Sequence, residues 1–319
     1  MKLVFLDVKS IGDDIDLSGF DELGEVVKYD FTTEEEAAQR TKDADVVIIN
    51  KVPINEKTIG DAEHLKLVCV TATGTNNLDK EYLDSRNIAW RNVAGYSTET
   101  VAQHTFAMLF YLLVYLLDKL SYYDDYVKSE RYIGDTMFTH FSNVFHDLNG
   151  MTWGIIGLGN IGRRVADLAK AFGCHVIYYS TSGRNCQEGY ERADFDTLLA
   201  TSDIVSVHAP LDENTKNLMD AEAFGKMKKS AIFLNLGRGP IVVEKDLADA
   251  LCNGKIAAAG LDVLADEPMR EDNPLREIKD GTKLIITPHI GWASVESRTR
   301  VMQLVLLNVK NFFNDETGA

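Results

Sequence analysis

Short apolar runs recur through the first hundred residues, at 3–6, 25–29, 45–49, 65–70 and 88–90, and polar stretches of helical character such as 33–41 separate them. Strands that are apolar along most of their length, alternating with helices, belong to a parallel sheet covered on both faces. The alternation resumes after residue 150 with six more strand candidates, at 152–156, 175–179, 204–207, 231–234, 257–261 and 283–286. Six such strands are what a second doubly wound sheet needs. Residues 294–313 place Val301, Leu304, Val305, Leu307 and Phe312 at helical intervals. With no strand left to cover beyond the sixth, this helix is expected to return to the first domain. The pattern thus predicts an α/β chain of two doubly wound domains, one formed by residues 1–98 and 293–319 and the other by residues 99–292.

Between the two sets of strands, residues 101–117 are apolar nearly all round. Gln103, His104 and Thr105 lie near the start, Asp118 and Lys119 follow directly, and the segment falls short of the ~20 apolar residues that cross a bilayer. A core or subunit-interface helix is expected instead. Residues 121–149 are weakly patterned but carry Tyr122, Tyr123, Tyr126, Tyr132, Phe138, Phe141 and Phe145, too many aromatics for disorder, and are expected to pack against a partner subunit.

Composition narrows the classes of partner. The 319 residues are 45% hydrophobic and 26% charged, enough for two cores. A net charge of −16 without a Lys/Arg cluster argues against nucleic acid and anionic membrane surfaces, which bind through such clusters. The amino terminus has the pattern of a strand rather than of a signal peptide. Cys69, Cys174, Cys186 and Cys252 are scattered without a CxxC, so free thiols in a cytoplasmic protein are expected. His64, His140, His146 and His175 form no ligand-spaced group, and no metal is expected.

The run Met151-Thr-Trp-Gly-Ile-Ile-Gly157-Leu-Gly159-Asn-Ile-Gly162 reads as a buried strand, a glycine turn and a helix start. In such a turn the first glycine permits the tight bend, the second lets backbone approach a pyrophosphate and the third lets helix and strand pack closely. The helix continues through Val165, Leu168 and Phe172, and a second strand follows at the spacing of a βαβ unit, which makes dinucleotide binding the expected role. Where an acidic residue would end that second strand to hold the ribose 2′-hydroxyl, the chain has Ser180, then Thr181, Ser182, Gly183 and Arg184. No carboxylate there repels a 2′-phosphate, and Ser182 and Arg184 are donors for one, so the charge argument favours NADP(H) over NAD(H).

Charged residues gather after the later strands, where a reactive nicotinamide ring would lie. Arg238 follows the fourth strand, Asp262 ends the fifth with Glu267 just beyond, and His289 follows the sixth. Alcohol oxidation needs a base for the hydroxyl proton, a task that suits imidazole. A carboxylate on the other ring nitrogen fixes the tautomer and steadies the imidazolium, which gives Glu267 a place beside His289. A guanidinium grips a substrate carboxylate bidentately, and Arg238 is assigned that role. Asp262 is read as an acceptor for the nicotinamide carboxamide. His208, at the end of the third strand beside Pro210, is read as a wall of the cofactor site rather than a second base, and His104 as a satisfied core histidine.

These segments, together with Ala72-Thr73-Gly74-Thr75-Asn76-Asn77-Leu78-Asp79, Val93–His104, Val207–Pro210, Asn235–Pro240, Gly260–Pro268 and Thr287–Trp292, resemble the D-isomer-specific 2-hydroxyacid dehydrogenases over nearly the whole chain. The resemblance is strongest to the glycerate dehydrogenases, also called hydroxypyruvate reductases. It implies a Rossmann-type dinucleotide-binding domain inserted into a flavodoxin-like substrate domain, a homodimer built on the long apolar helix, and catalysis by Arg238, Glu267 and His289. It further implies substrate contacts at Ala72, Thr73, Gly74 and Arg238; Lys51, just after the strand at 45–49, is expected from its position to face the substrate as well. Cofactor contacts fall on Thr73, Gly157, Gly159, Asn160, Ile161, Gly162, Ser180, Thr181, Ser182, Arg184, His208, Ala209, Pro210, Thr215, Leu236, Gly237, Arg238, Asp262, His289 and Gly291. The expected activity is reversible hydride transfer between NAD(P)H and a small 2-keto acid, with hydroxypyruvate or glyoxylate as substrate. D-lactate or broad 2-ketoacid reductases, and a dinucleotide-sensing protein resembling the corepressors of this fold, are the alternatives.

Overall fold

The computed structural model describes residues 1–113, 116–142, 146–184 and 189–317; Phe145 and Cys186 lie outside the described residues. The chain divides into two compact units, Met1–Ser97 together with the chain from Trp292 onward, and Thr98–Gly291.

In the first unit five parallel strands, β1 (Lys2–Phe5), β2 (Glu25–Lys28), β3 (Val46–Ile49), β4 (Leu67–Val70) and β5 (Ala89–Arg91), lie in the order β2-β1-β3-β4-β5. Alternate side chains face opposite layers, which is why the strands are apolar almost throughout. Val4, Val47, Ile49, Val68 and Val70 share one core with Ala37, Ile59 and Leu83. These last three come from the helices Glu34–Thr41, Glu56–Ile59 and Lys80–Ser85. Thr33 and Glu36 start the first of these with a reciprocal capping box. On the opposite face Leu3, Phe5, Val46, Ile48, Leu67 and Cys69 meet Val301, Met302, Val305 and Val309 of the helix Val295–Thr317, which closes this unit.

In the second unit the strands are β6 (Thr152–Ile156), β7 (His175–Tyr179), β8 (Glu191–Arg192), β9 (Ile204–Val207), β10 (Ile232–Asn235), β11 (Ala258–Leu261) and β12 (Leu284–Ile286). All are parallel, in the order β12-β11-β10-β9-β6-β7-β8. Among the described residues there are seven strands, not the six that the pattern predicts. The addition, β8, is two exposed charged residues on the edge beside β7, and so has no apolar signature. Chain order reverses between β6 and β9, and the carboxyl ends of those two strands are the switch point at which doubly wound sheets bind ligands.

The helix Thr98–Leu113 buries Val101, Ala102, Thr105, Phe106, Met108, Leu109 and Leu112 within the second unit, and Phe106 packs on Trp153 with ring centroids 5.0 Å apart. Its described part is therefore a core helix. A separate helix, Leu116–Val127, follows. Beyond it the aromatic segment is folded partly on itself: His140 stacks on Tyr126 at 4.0 Å between centroids, and the Tyr126 hydroxyl donates to Asp135 at 2.6 Å. Phe138 and Phe141 stay 88% and 84% exposed. Among the described residues no helix is long and apolar enough to cross a membrane. Cys69 and Cys174 are buried free thiols, pushed by burial up to about 12 and about 11, while Cys252 is free and exposed.

Candidate active site

The glycine turn is built as its sequence demands. Gly157 sits at φ +92°, and a Cβ there would lie 2.7 Å from the Ala209 backbone. At Gly162 a Cβ would lie 2.2 Å from the Gly157 carbonyl oxygen, so only glycine lets the helix approach its strand. The helix Asn160–Ala171 has Gly159 at its N-cap with no side chain capping it, and a Cβ on Gly159 would meet nothing within 4 Å. Asn160 and Ile161 form its first turn. An uncapped helix start above open space is what an anionic pyrophosphate fits.

After β7, Ser180 is buried and its carbonyl accepts the Gly183 N–H at 3.1 Å, while Thr181 is half-buried and Ser182 and Arg184 are exposed. Across the switch point His208, Ala209 and Pro210 follow β9. Burial pushes His208 down to about 3, which keeps the ring neutral and removes it as a base. Ser206 Oγ accepts from Trp153 Nε1 at 2.9 Å and lies 3.1 Å from His208 Nε2. His208 Nδ1 has no protein partner among the described residues, a buried polar atom of the kind a bound ligand satisfies. Thr215 faces inward instead: fully buried, its hydroxyl donates to Pro210 O at 2.7 Å and accepts from Asp212 N at 2.8 Å, which closes the turn 210–215.

Strands β10, β11 and β12 are adjacent and parallel, so the segments leaving them emerge on one edge. Asn235, fully buried at the end of β10, accepts from Gly237 N at 3.0 Å and donates to Arg238 O at 3.0 Å, shaping the turn that carries Leu236, Gly237 and Arg238. Arg238 is half-buried, and its guanidinium donates to Gly237 O at 2.8 Å. After β11, Glu267 accepts from Leu264 N at 3.0 Å through Oε1 and meets His289 Nδ1 at 2.7 Å through Oε2. Glu244 pins the same turn by accepting from Ala265 N and from Asn273 Nδ2, both at 2.7 Å. His289 itself sits at φ +55°, an uncommon conformation for a residue with a side chain.

Asp262 directly follows β11. It is 3% exposed, and three protein donors already occupy its carboxylate: Thr287 Oγ1 at 2.6 Å, Ile290 N at 2.9 Å and Gly291 N at 2.8 Å. Burial by itself raises such a carboxyl, but the hydrogen bonds, with His104 close by, hold it below the usual range. His104 is satisfied, its Nε2 2.9 Å from Thr287 Oγ1.

In the first unit Lys51 is exposed just past β3. The turn Ala72-Thr73-Gly74 after β4 is tied down by Thr73 Oγ1 donating to Val93 O at 3.0 Å and Asn92 Nδ2 donating to Thr73 O at 2.7 Å. Asp7, buried after β1, accepts the backbone N–H groups of Asn50 at 2.8 Å, Lys51 at 2.7 Å and Val52 at 3.3 Å. Asp7, Asn235, Glu244 and Thr287 hold the loops, yet sequence reasoning gave them no such role. The available signal was a polar residue at or just past the end of an apolar strand, as for Asp7, Asn235 and Thr287.

The fold and this edge define a dinucleotide-binding oxidoreductase. Residues 110–291 match the family model of the D-isomer specific 2-hydroxyacid dehydrogenase NAD binding domain. The chain is 36% identical over 312 residues to a glycerate dehydrogenase of Methylorubrum extorquens, covering 98% of this chain and 96% of that one. It is 35% identical over 322 residues to a hydroxypyruvate reductase of Blautia hydrogenotrophica, covering 98% and 97%. Its structure is similar to that of the D-lactate dehydrogenase of Aquifex aeolicus in complex with NAD and lactic acid, with a TM-score of 0.84, 26% identity and coverage of 99% and 96%. The chain belongs to the D-isomer specific 2-hydroxyacid dehydrogenase family.

Proposed function

We propose that this protein reversibly reduces a small 2-keto acid, hydroxypyruvate or glyoxylate, to the D-2-hydroxy acid. The observation that carries the proposal is the 2.7 Å pairing of Glu267 with His289 Nδ1, on the sheet edge that also bears Arg238. Two relatives named for hydroxypyruvate and glycerate chemistry support the choice of substrate.

A bound reduced nicotinamide supplies the hydride. The chain's own groups do the rest. Ionised Glu267 is an acceptor and so holds the imidazole proton at Nδ1, leaving Nε2 to deliver a proton to the forming alkoxide. In oxidation the same nitrogen takes that proton back. Arg238 is assigned the substrate carboxylate, and Lys51, Ala72, Thr73 and Gly74 are proposed as further substrate contacts. Gly157 to Gly162 take the pyrophosphate, and neutral His208 forms part of the wall of the cofactor site.

NADP(H) is the proposed cofactor, because the residues after β7 offer Ser182 and Arg184 to a 2′-phosphate and no carboxylate against it. A homodimer in the cytoplasm completes the proposal; exposed Phe138 and Phe141 support a covered surface, and light scattering of the purified protein tests it. The activity is tested with a panel of hydroxypyruvate, glyoxylate and pyruvate against NADH and NADPH. Highest kcat/KM for hydroxypyruvate or glyoxylate with NADPH is expected. A preference for NADH removes the cofactor assignment, a preference for pyruvate removes the substrate, and turnover of none removes the enzyme.

A further inference from the structure

Behind His289 runs a chain of buried polar groups that joins it to a helix remote in sequence. Thr287 Oγ1 lies 2.6 Å from Asp262 Oδ1 and 2.9 Å from His104 Nε2. Asp262 is held ionised and accepts only, so the threonine's single hydrogen goes to it. Thr287 must then accept from His104, whose Nε2 carries a hydrogen. The direction of every bond is fixed: His104 donates to Thr287, Thr287 and the Ile290 N–H to Asp262 Oδ1, and the Gly291 N–H to Asp262 Oδ2.

The two ends of this chain stand on different kinds of element. His104 stands on the helix Thr98–Leu113, anchored on either side by buried Val101, Ala102, Thr105 and Met108. At the other end is the turn 287–291, with His289 at φ +55° and His289 N donating to Thr287 O at 2.9 Å. The turn is pressed on the carboxylate: a Cβ on Gly291 would lie 2.7 Å from Asp262 Oδ2 and 3.4 Å from His104 Cδ2. A residue with a side chain persists in a glycine-favoured conformation where its surroundings over-determine it, and here the carboxylate and its donors do so.

We propose that His104 and Thr287 are positioning residues: through Asp262 they hold the turn that presents His289 for proton transfer. The proposal rests on the assignment of His289 above. Thr287→Val keeps the shape but removes both bonds, and Thr287→Ser keeps both. His104→Leu removes the donor, whereas His104→Gln retains an N–H.

With hydroxypyruvate and NADPH, Thr287→Val and His104→Leu are expected to lower kcat about 10- to 100-fold with little change in KM, and Thr287→Ser and His104→Gln to recover most of it. In the protein without substrate, amide exchange at Ile290 and Gly291 is expected to quicken about tenfold or more in Thr287→Val and to stay slow in Thr287→Ser. Parental kcat and parental exchange in both Thr287→Val and His104→Leu overturn the proposal, as does equal loss in the removing and the retaining variants. Quickened exchange in an enzyme whose His289→Asn variant keeps full turnover overturns the assignment of His289 instead, and leaves the positioning of the turn standing.

Discussion

Asp7 and Asp262 are the same device used in two units with opposite electrostatic results. Each follows a strand, β1 or β11, and reaches across to accept backbone N–H groups from the loop after the neighbouring strand, β3 or β12. Each is nearly buried, at 7% and 3% exposure. Burial dominates at Asp7 and its carboxyl is raised, despite the N–H groups of Asn50, Lys51 and Val52 and the charge of Lys51. At Asp262 burial pulls the same way, but the added bonds from His104 and Thr287 reverse the balance. Backbone donors alone tie a loop down without securing the charge; a hydroxyl and an imidazole make the carboxylate a fixed anionic anchor. The loop anchored that way is the one that carries His289.

The widest expected separation between the two is in turnover. Asp262→Asn places an amide N–H against donors and is expected to cut kcat about 100-fold or more, the cost of leaving a polar network half satisfied near a reacting group. Asp7→Asn is expected to act on KM for the keto acid, through the loop of Lys51, and to leave kcat near the parental value. Steady-state kinetics of both variants measure this, and a kcat loss of similar size in both abolishes the distinction.

Stability should differ in the same sense. In urea unfolding at pH 7, Asp262→Asn is expected to lose about 3 kcal/mol, as for a buried charged acceptor removed from several donors, and Asp7→Asn less, because it also relieves a buried charge. The smallest effect is in pH dependence, where the signs are opposite. A carboxyl lowered on folding stabilises above its unfolded pKa of ~3.9, and that contribution is lost as pH falls through the folded value. A carboxyl raised on folding contributes fully below ~3.9 and loses that contribution as pH rises through the folded value. Unfolding midpoints between pH 3 and 6 are therefore expected to show less acid destabilisation in Asp262→Asn than in the parent, and a shallower decline with rising pH in Asp7→Asn. A shared direction of change contradicts the comparison.

The inner strands were legible because β1, β3, β4, β6, β9, β10 and β11 bury nearly every side chain, and β6, β7 and β9 begin and end where the apolar pattern does. β8 was not, since Glu191 and Arg192 pair at an exposed edge and bury nothing. The helix after residue 98 was visible as an apolar run, but its boundary with Leu116–Val127 was not, since Leu112 and Leu113 before it and Leu116 and Leu117 after it continue one apolar run. Within the candidate site, Arg238, Glu267 and His289 stood out because charge after an apolar strand is conspicuous. The wiring behind them did not, because His104 and Thr287 are 183 residues apart and neither type of residue announces a partner. The inward turn of Thr215 was hidden for a related reason: its hydroxyl closes its own loop, which the residue type permits and does not require.

The central claim is that His289, held by Glu267, transfers the proton. His289→Asn tests it with the least disturbance, since asparagine tolerates the φ of +55° found there. The measurement is single-turnover reduction of hydroxypyruvate by the variant, with NADPH binding followed in parallel by fluorescence. The account predicts a fall of about 10²- to 10⁴-fold in the hydride-transfer rate with cofactor affinity retained; an undiminished rate with cofactor bound would contradict it.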